Sequence, residues 1–133
     1  MNKKINITLL HKEIKKQIEK NSSIKVYDVI ENDTPAPFAM VQLVSKRDAS
    51  TKTMYKEEFN FYIHVLAEGG SSINIYNAIE AIEESLTQDI DVCGLLEQRE
   101  NGILQIITEQ TGEKRAVLSY TFIVCYGYKS KMN

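Results

Sequence analysis

Between Pro37 and Leu66 two apolar runs, Phe38 to Val44 and Phe59 to Leu66, flank a polar, charge-rich middle that contains no proline. In the second run Phe59, Phe61, Ile63 and Val65 alternate with Asn60, Tyr62, His64 and Leu66. A period of two is what a pleated strand imposes, so one set faces a core and the other does not. The stretch reads as two long antiparallel strands joined by an extended hairpin. A second strand beginning near Met54 would span roughly 40 Å at the rise of a strand, so the hairpin is expected to project beyond the core. Its middle, SKRDASTKT, holds Lys46, Arg47, Asp48 and Lys52 and no large apolar residue. Such an arm is either a solvated tip or a contact element in an assembly.

The other periodicities dress this spine. Residues 5 to 20 place Ile7, Leu10, Ile14 and Ile18 at spacings of three and four among lysines and glutamates, one apolar stripe of an amphipathic helix that Asn21, Ser22 and Ser23 stop. Ile24 to Ile30 alternates as a short strand, and the prolines of ENDTPAP turn the chain and deliver it extended into Phe38. The Phe38 to Val44 run is apolar on both faces, as in an inner strand or one covered by a partner chain. Glu68, Gly69 and Gly70 end the second long strand. Ser71 or Ser72 then caps a helix near Ile73 to Thr87, whose Ile75, Ile79, Ile82 and Leu86 should lie on the sheet.

Asp89 to Asn101 lacks a clear period and reads as a loop or short strand and helical pieces. Ile103 to Glu109 is expected to pair with Arg115 to Tyr128 through a turn at Thr111 and Gly112. The expected fold is α+β: a mostly antiparallel sheet with two helices packed on one face, in the order α-β-β-β-α-β-β, forming a single domain over residues 1–133.

Composition narrows the function. The chain is 43% hydrophobic and 26% charged with a formal net charge of -2, a globular balance without the basic excess that holds a polyanion. The lysine-rich run from Lys3 to Lys20 reads as the solvated face of the first helix. No apolar segment approaches the roughly 20 residues of a membrane helix, and the interrupted amino-terminal stretch does not resemble a secretory signal, so the protein is expected in the cytosol. Cys93 and Cys125 lack metal-ligand spacing and are expected as reduced, buried thiols. His11 and His64 stand outside any nucleophile–base motif, and Gly69 and Gly70 outside any phosphate-loop pattern. Glu80, Glu83 and Glu84 form an acidic helix face read as plain surface, not as a carboxylate pair. Tyr120, Tyr126 and Tyr128 lack interleaved cations, which favours packing over a base-stacking platform. No catalytic residue, cofactor or metal site is expected.

A first helix, a short strand carrying Val26-Tyr27-Asp28, the proline entry Ala36-Pro37-Phe38, a long charged hairpin, then a strand, a helix and a closing hairpin resembles the small tail completion proteins of long-tailed bacteriophages and prophages, also called tail terminator or tail-to-head joining proteins. The likeness runs from about Leu9 to Tyr128 in order and spacing. It implies a non-enzymatic structural virion protein that assembles with itself as a ring, commonly a hexamer, on the tail tube protein and meets the head connector or stopper. That ring would form in the bacterial host cytoplasm and remain at the virion head–tail junction, with no membrane and no sequence-specific nucleic acid as partner. A ring subunit must present two different complementary patches. Lys46, Arg47, Asp48 and Lys52 on the hairpin are the expected contacts to a neighbour, and Glu80, Glu83 and Glu84 the opposing patch. The alternative is a small ligand-binding or nucleic-acid-binding α+β domain, which a cleft with His64 beside a carboxylate would favour.

Overall fold

A computed structural model describes residues 4–28 and 35–129. Helix α1 spans Ile7–Asn21, strand β1 Lys25–Val26, β2 Phe38–Asp48, β3 Met54–Ala67, helix α2 Ser72–Ser85, β4 Leu95–Thr108 and β5 Lys114–Tyr128. The five strands form one mixed sheet in the order β1-β2-β3-β5-β4. Only β1 and β2 are parallel; every other neighbouring pair is antiparallel. The expected element order therefore holds. None of the helices described is long and apolar enough to cross a membrane.

The helices begin where side chains can cap them. Asn6 accepts from the Thr8 amide through its side chain at 2.7 Å, and Ser71 from the Ile73 amide at 3.2 Å, each satisfying a donor that the first turn leaves free. At the other end of α1 the Ser22 hydroxyl donates to the Ile18 carbonyl, and the chain leaves the helix extended. α1 packs against β1 and β2, α2 packs against β3 and β5, and the helices touch each other. Leu10, Ile14 and Ile18 of α1 and Ile75, Ile79 and Ile82 of α2 enter the same apolar cluster as Phe59, Phe61, Ile63 and Val65 of β3. The alternation in β3 thus selects the core set as its pattern predicts. Phe61 is fully buried and meets the Phe122 ring edge-on at 5.7 Å between centroids.

Val26-Tyr27-Asp28 has a concrete role in this frame. Val26 enters the core, the Tyr27 amide donates to the Ala39 carbonyl at 2.9 Å, and the Tyr27 ring packs edge-on against Phe38. Asp28 lies 3.7 Å from His11 of α1. The expected strand over Ile24 to Ile30 is shorter, Lys25–Val26, and the part of that expectation beyond Asp28 lies outside the described residues.

Two expectations are corrected. The stretch to Asn101, read as a loop or short strand and helical pieces, becomes one long strand from Leu95, because β5 is long enough to pair it and the Gln98 side chain ties it to the turn after α2. Gln98 donates to the Leu86 and Gln88 carbonyls and accepts from the Ile90 amide, using its amide as a backbone unit would be used. The cysteines are both free, as expected, but Cys93 is exposed and Cys125 half-buried.

Candidate assembly interface

The hairpin between β2 and β3 is closed by its own bonds. The Ala49 amide donates to the Lys56 carbonyl, the Thr51 amide to the Met54 carbonyl, and Thr51 Oγ1 accepts from the Met54 amide at 3.1 Å. It does not stand alone as a two-stranded finger. β5 pairs with β3 along its whole length, from Ala67 opposite Lys114 to Met54 opposite Tyr128, and the Lys129 amide reaches the Thr53 carbonyl. The physical reason is that a long bare strand leaves one row of backbone groups unpaired, and β5 is long enough to satisfy that row on β3. Tyr55 stacks on Tyr126 at 5.8 Å, and the Lys129 ammonium sits 5.2 Å above the Tyr55 ring.

Three of the four hairpin charges are engaged within the chain. Lys46 lies 3.4 Å from the buried carboxylate of Glu57. Arg47 forks onto Glu58, Nε to Oε2 at 2.9 Å and Nη2 to Oε1 at 3.2 Å, directly across the ladder. That hydrogen bond raises the Arg47 pKa and holds Glu58 below the usual carboxylate value. Asp48 accepts from the Ser50 hydroxyl at 2.6 Å and from its amide, which lowers its pKa. Lys52, exposed in the turn, has no ion-pair partner among the described residues.

On α2, Glu80 and Glu84 are exposed, and Glu83 is not plain surface. Its carboxyl hydrogen-bonds to that of Glu100 on β4; with partial burial and the charges of Glu100 and Glu80 this pushes the Glu83 pKa up to about 7. A hydrogen bond between two carboxyls requires one of them to carry a proton, which is why the pairing raises the Glu83 pKa. Sequence reasoning missed the pair because Glu100 falls in the stretch that lacks a clear period. Within the chain Lys46 and Arg47 pair with Glu57 and Glu58 of β3, not with the α2 glutamates.

The sheet face opposite the core carries a second feature that the sequence left unread. Asn60 of β3 donates to Ser45 of β2 at 2.9 Å and accepts from Thr121 of β5 at 2.6 Å. Thr121 accepts from Asn101 of β4 at 2.8 Å, and Asn101 accepts from Arg99, which also pairs with Glu97. One hydrogen-bonded row thus crosses four strands. The residue types are common ones, and only the register aligns them, so no local signal could have found the row.

His64 lies on that same face. Its Nε2 is 2.7 Å from Gln42 Oε1, Nδ1 is buried with no partner among the described residues, and burial followed by the Arg115 charge lowers its pKa. Its neighbour is an amide, not a carboxylate. Tyr120 is buried against Phe122, and burial, then the charges of Glu100 and Glu83, raise its hydroxyl pKa. A cleft of about 330 Å³ sets small apolar residues, Ala36, Pro37, Ala67, Ala78 and Ala81 among them, beside the polar Ser23, Glu68, Asn74 and Asn77.

A family model described as "Putative tail termination protein" matches residues 1–132. Among solved structures, a chain of the virion of a native gene transfer agent particle is similar, with a TM-score of 0.59, 20% identity and 84% of each chain covered. At that identity the likeness speaks for the fold. No curated protein matches the chain.

Proposed function

From the chain's membership of the phage tail termination family, which makes it a structural virion protein, we propose that it closes the tail tube and forms the tail side of the head–tail junction. The family match over residues 1–132 carries this reading. The resemblance seen in the order of its elements supports it. In this reading the helices cover one face of the sheet, which the single cluster shared by α1, α2 and alternate residues of β3 supports. Copies of the chain assemble as a ring, on the hexameric pattern of the family, in the host cytoplasm. The ring meets the tail tube protein on one side and the head connector on the other.

The hairpin end is the proposed contact to a neighbouring component. Lys46, Arg47 and Asp48 stiffen it through Glu57, Glu58 and Ser50, and Lys52 is the charge it offers outward. Glu80, Glu83 and Glu84 form the opposing acidic patch. The test is deletion of the gene in a strain that makes the particles, with complementation. Without the protein, tails should accumulate unjoined to heads, and the wild-type gene should restore joined particles. Joined, normal-length tails from the deletion strain would overturn the reading. Lys52→Glu should leave the melting temperature unchanged while lowering the yield of joined particles.

A further inference from the structure

Three acceptor groups from three elements meet between α2 and β4. Glu100 of β4 stands directly across the ladder from Tyr120 of β5, so the two share one face of the sheet. Glu83 of α2, which packs on β5, hydrogen-bonds to Glu100. Tyr120 is 1% exposed, its hydroxyl has no hydrogen-bond partner among the described residues, and the charges of Glu100 and Glu83 both act on it. A buried hydroxyl left unpaired is costly, so one kept beside two carboxyls calls for a partner from outside the chain. The charges acting on Glu83 are those of Glu100 and of Glu80, one turn back on α2. No Lys or Arg forms an ion pair with these three glutamates among the described residues. α1 and β3, which also pack on α2, meet it through apolar side chains.

Such a site takes a compact cation. An ammonium has three N–H donors and no acceptor, which matches two carboxylates and a hydroxyl. It also reaches where the groups themselves do not. The Tyr120 hydroxyl is out of hydrogen-bond range of both carboxyls, and an ammonium between them closes the gap with bonds of about 2.9 Å each. A guanidinium, whose planar fork suits a single carboxylate, fits three separate acceptors less well.

The chain carries a matching donor. Lys52 is exposed in the hairpin turn and has no ion-pair partner among the described residues. β4 begins at Leu95, opposite Val124, whereas β3 and β5 stay paired out to Met54 and Tyr128, so the turn stands roughly 13 Å beyond β4 at the rise of a strand. In its own chain the site is out of reach. Tyr120 lies roughly 25 Å back along β5 from Tyr128, which pairs at the foot of the turn.

We propose that Lys52 of one copy places its ammonium between Glu83 and Glu100 of a second copy, against the Tyr120 hydroxyl, and that the proton held by the carboxyl pair leaves as it does so. The proton passes to water, both carboxylates are then charged, and the ammonium keeps its own three. This rests on the hairpin contact proposed above and deepens it, adding Glu100 and Tyr120 to the receiving patch and a proton to the equilibrium. In the free chain Glu83 titrates at about 7. Association therefore strengthens as pH rises toward 7, by up to about tenfold per unit, and levels off above it, where the proton has already left.

A carbodiimide joins an amine to a carboxylate only where the two touch. Applied to concentrated protein or to particles, it should give covalent dimers and larger species whose link runs from Lys52 to Glu83 or Glu100. Lys52→Ala should remove that link. Tyr120→Phe should leave the melting temperature unchanged or raise it, since it deletes an unpaired hydroxyl, yet cut the yield of the link about tenfold. Sedimentation from pH 5.5 to 8 should show wild-type association strengthening toward neutrality, and Glu83→Gln should weaken association and remove its pH dependence. Absence of the link from both protein and particles, an unchanged yield with Tyr120→Phe, or no strengthening toward neutrality would overturn the proposal. Particles separate the two readings: joined tails without the link refute this contact and leave tail closure standing, and the link in a protein dispensable for joining does the reverse.

Discussion

β4 and β5 are paired neighbours of 14 and 15 residues, and they could hardly differ more in surroundings. β5 is buried without a break from Ala116 to Phe122, whereas no residue of β4 is fully buried, although Ile103 to Ile107 is as apolar as much of β5. β5 lies between β3 and β4, so both its edges are paired and α2 packs on it. β4 has one paired edge among the described residues. Burial in a sheet is thus assigned by position in the strand order, and a strand's own hydrophobicity only permits it.

The largest difference between the two strands should be in their response to truncation. Phe122→Ala is expected to cost ~3–5 kcal/mol, as is Phe61→Ala at its ring partner, because each empties a fully packed site. Ile103→Ala on β4 should cost under about 1 kcal/mol, as for surface changes in general. Denaturant unfolding compares them, and similar losses would break the contrast.

Glycines give the next effect. Gly94 and Gly102 flank and interrupt β4 with φ of +89° and +95°, a region that side chains adopt at a cost of ~1–2 kcal/mol. A Cβ at Gly102 meets nothing, but one at Gly94 would lie 2.1 Å from the Cys125 carbonyl oxygen, where the Gly94 carbonyl also accepts from the Cys125 amide. Gly94→Ala must therefore open the start of the β4–β5 ladder and should cost roughly twice as much as Gly102→Ala or more. Equal costs would show that the approach relaxes freely.

Thr121→Val tests the row across the opposite face. Its hydroxyl, in a residue 2% exposed, both donates to Asn60 and accepts from Asn101; its loss leaves the Asn60 carbonyl without that donor, while Asn101 keeps Ser119, and should cost ~1–3 kcal/mol. A melting temperature unchanged by that substitution would show that water replaces the hydroxyl without penalty.

The smallest effect is in pH. Glu83 is raised from its ordinary value near 4.5 to about 7, so the folded state binds its proton more tightly than the unfolded one. The stability it contributes is complete below about pH 4.5 and is lost as pH rises through about 7. Glu83→Gln should remove that slope, so the variant gains on the wild type between pH 5 and 8, by under about 1 kcal/mol for so exposed a pair. A difference independent of pH would mean that Glu100 does not share the proton.

The interface is less legible in sequence than the fold. Lys46, Arg47 and Asp48 stand out in the sequence as an exposed charged run, yet their partners Glu57, Glu58 and Ser50 follow only from the ladder register and the turn. Glu100 and Gln98 sit in a segment without period, since the irregularities of β4 break the alternation that marks a strand. The row from Ser45 to Arg99 joins residues from four strands, and no local pattern records such a meeting.

By itself the sequence determined the element order, the core stripes of α1, β3 and α2, and the capped start of α2. These rest on periodicity and capping, which are properties of residues near one another in the chain. Tertiary structure alone decided that β5 runs beside the hairpin to its end, that β4 is an edge and that Glu83 finds Glu100. Each depends on which strand lies next to which, and strand order is settled by packing between segments that the chain keeps far apart.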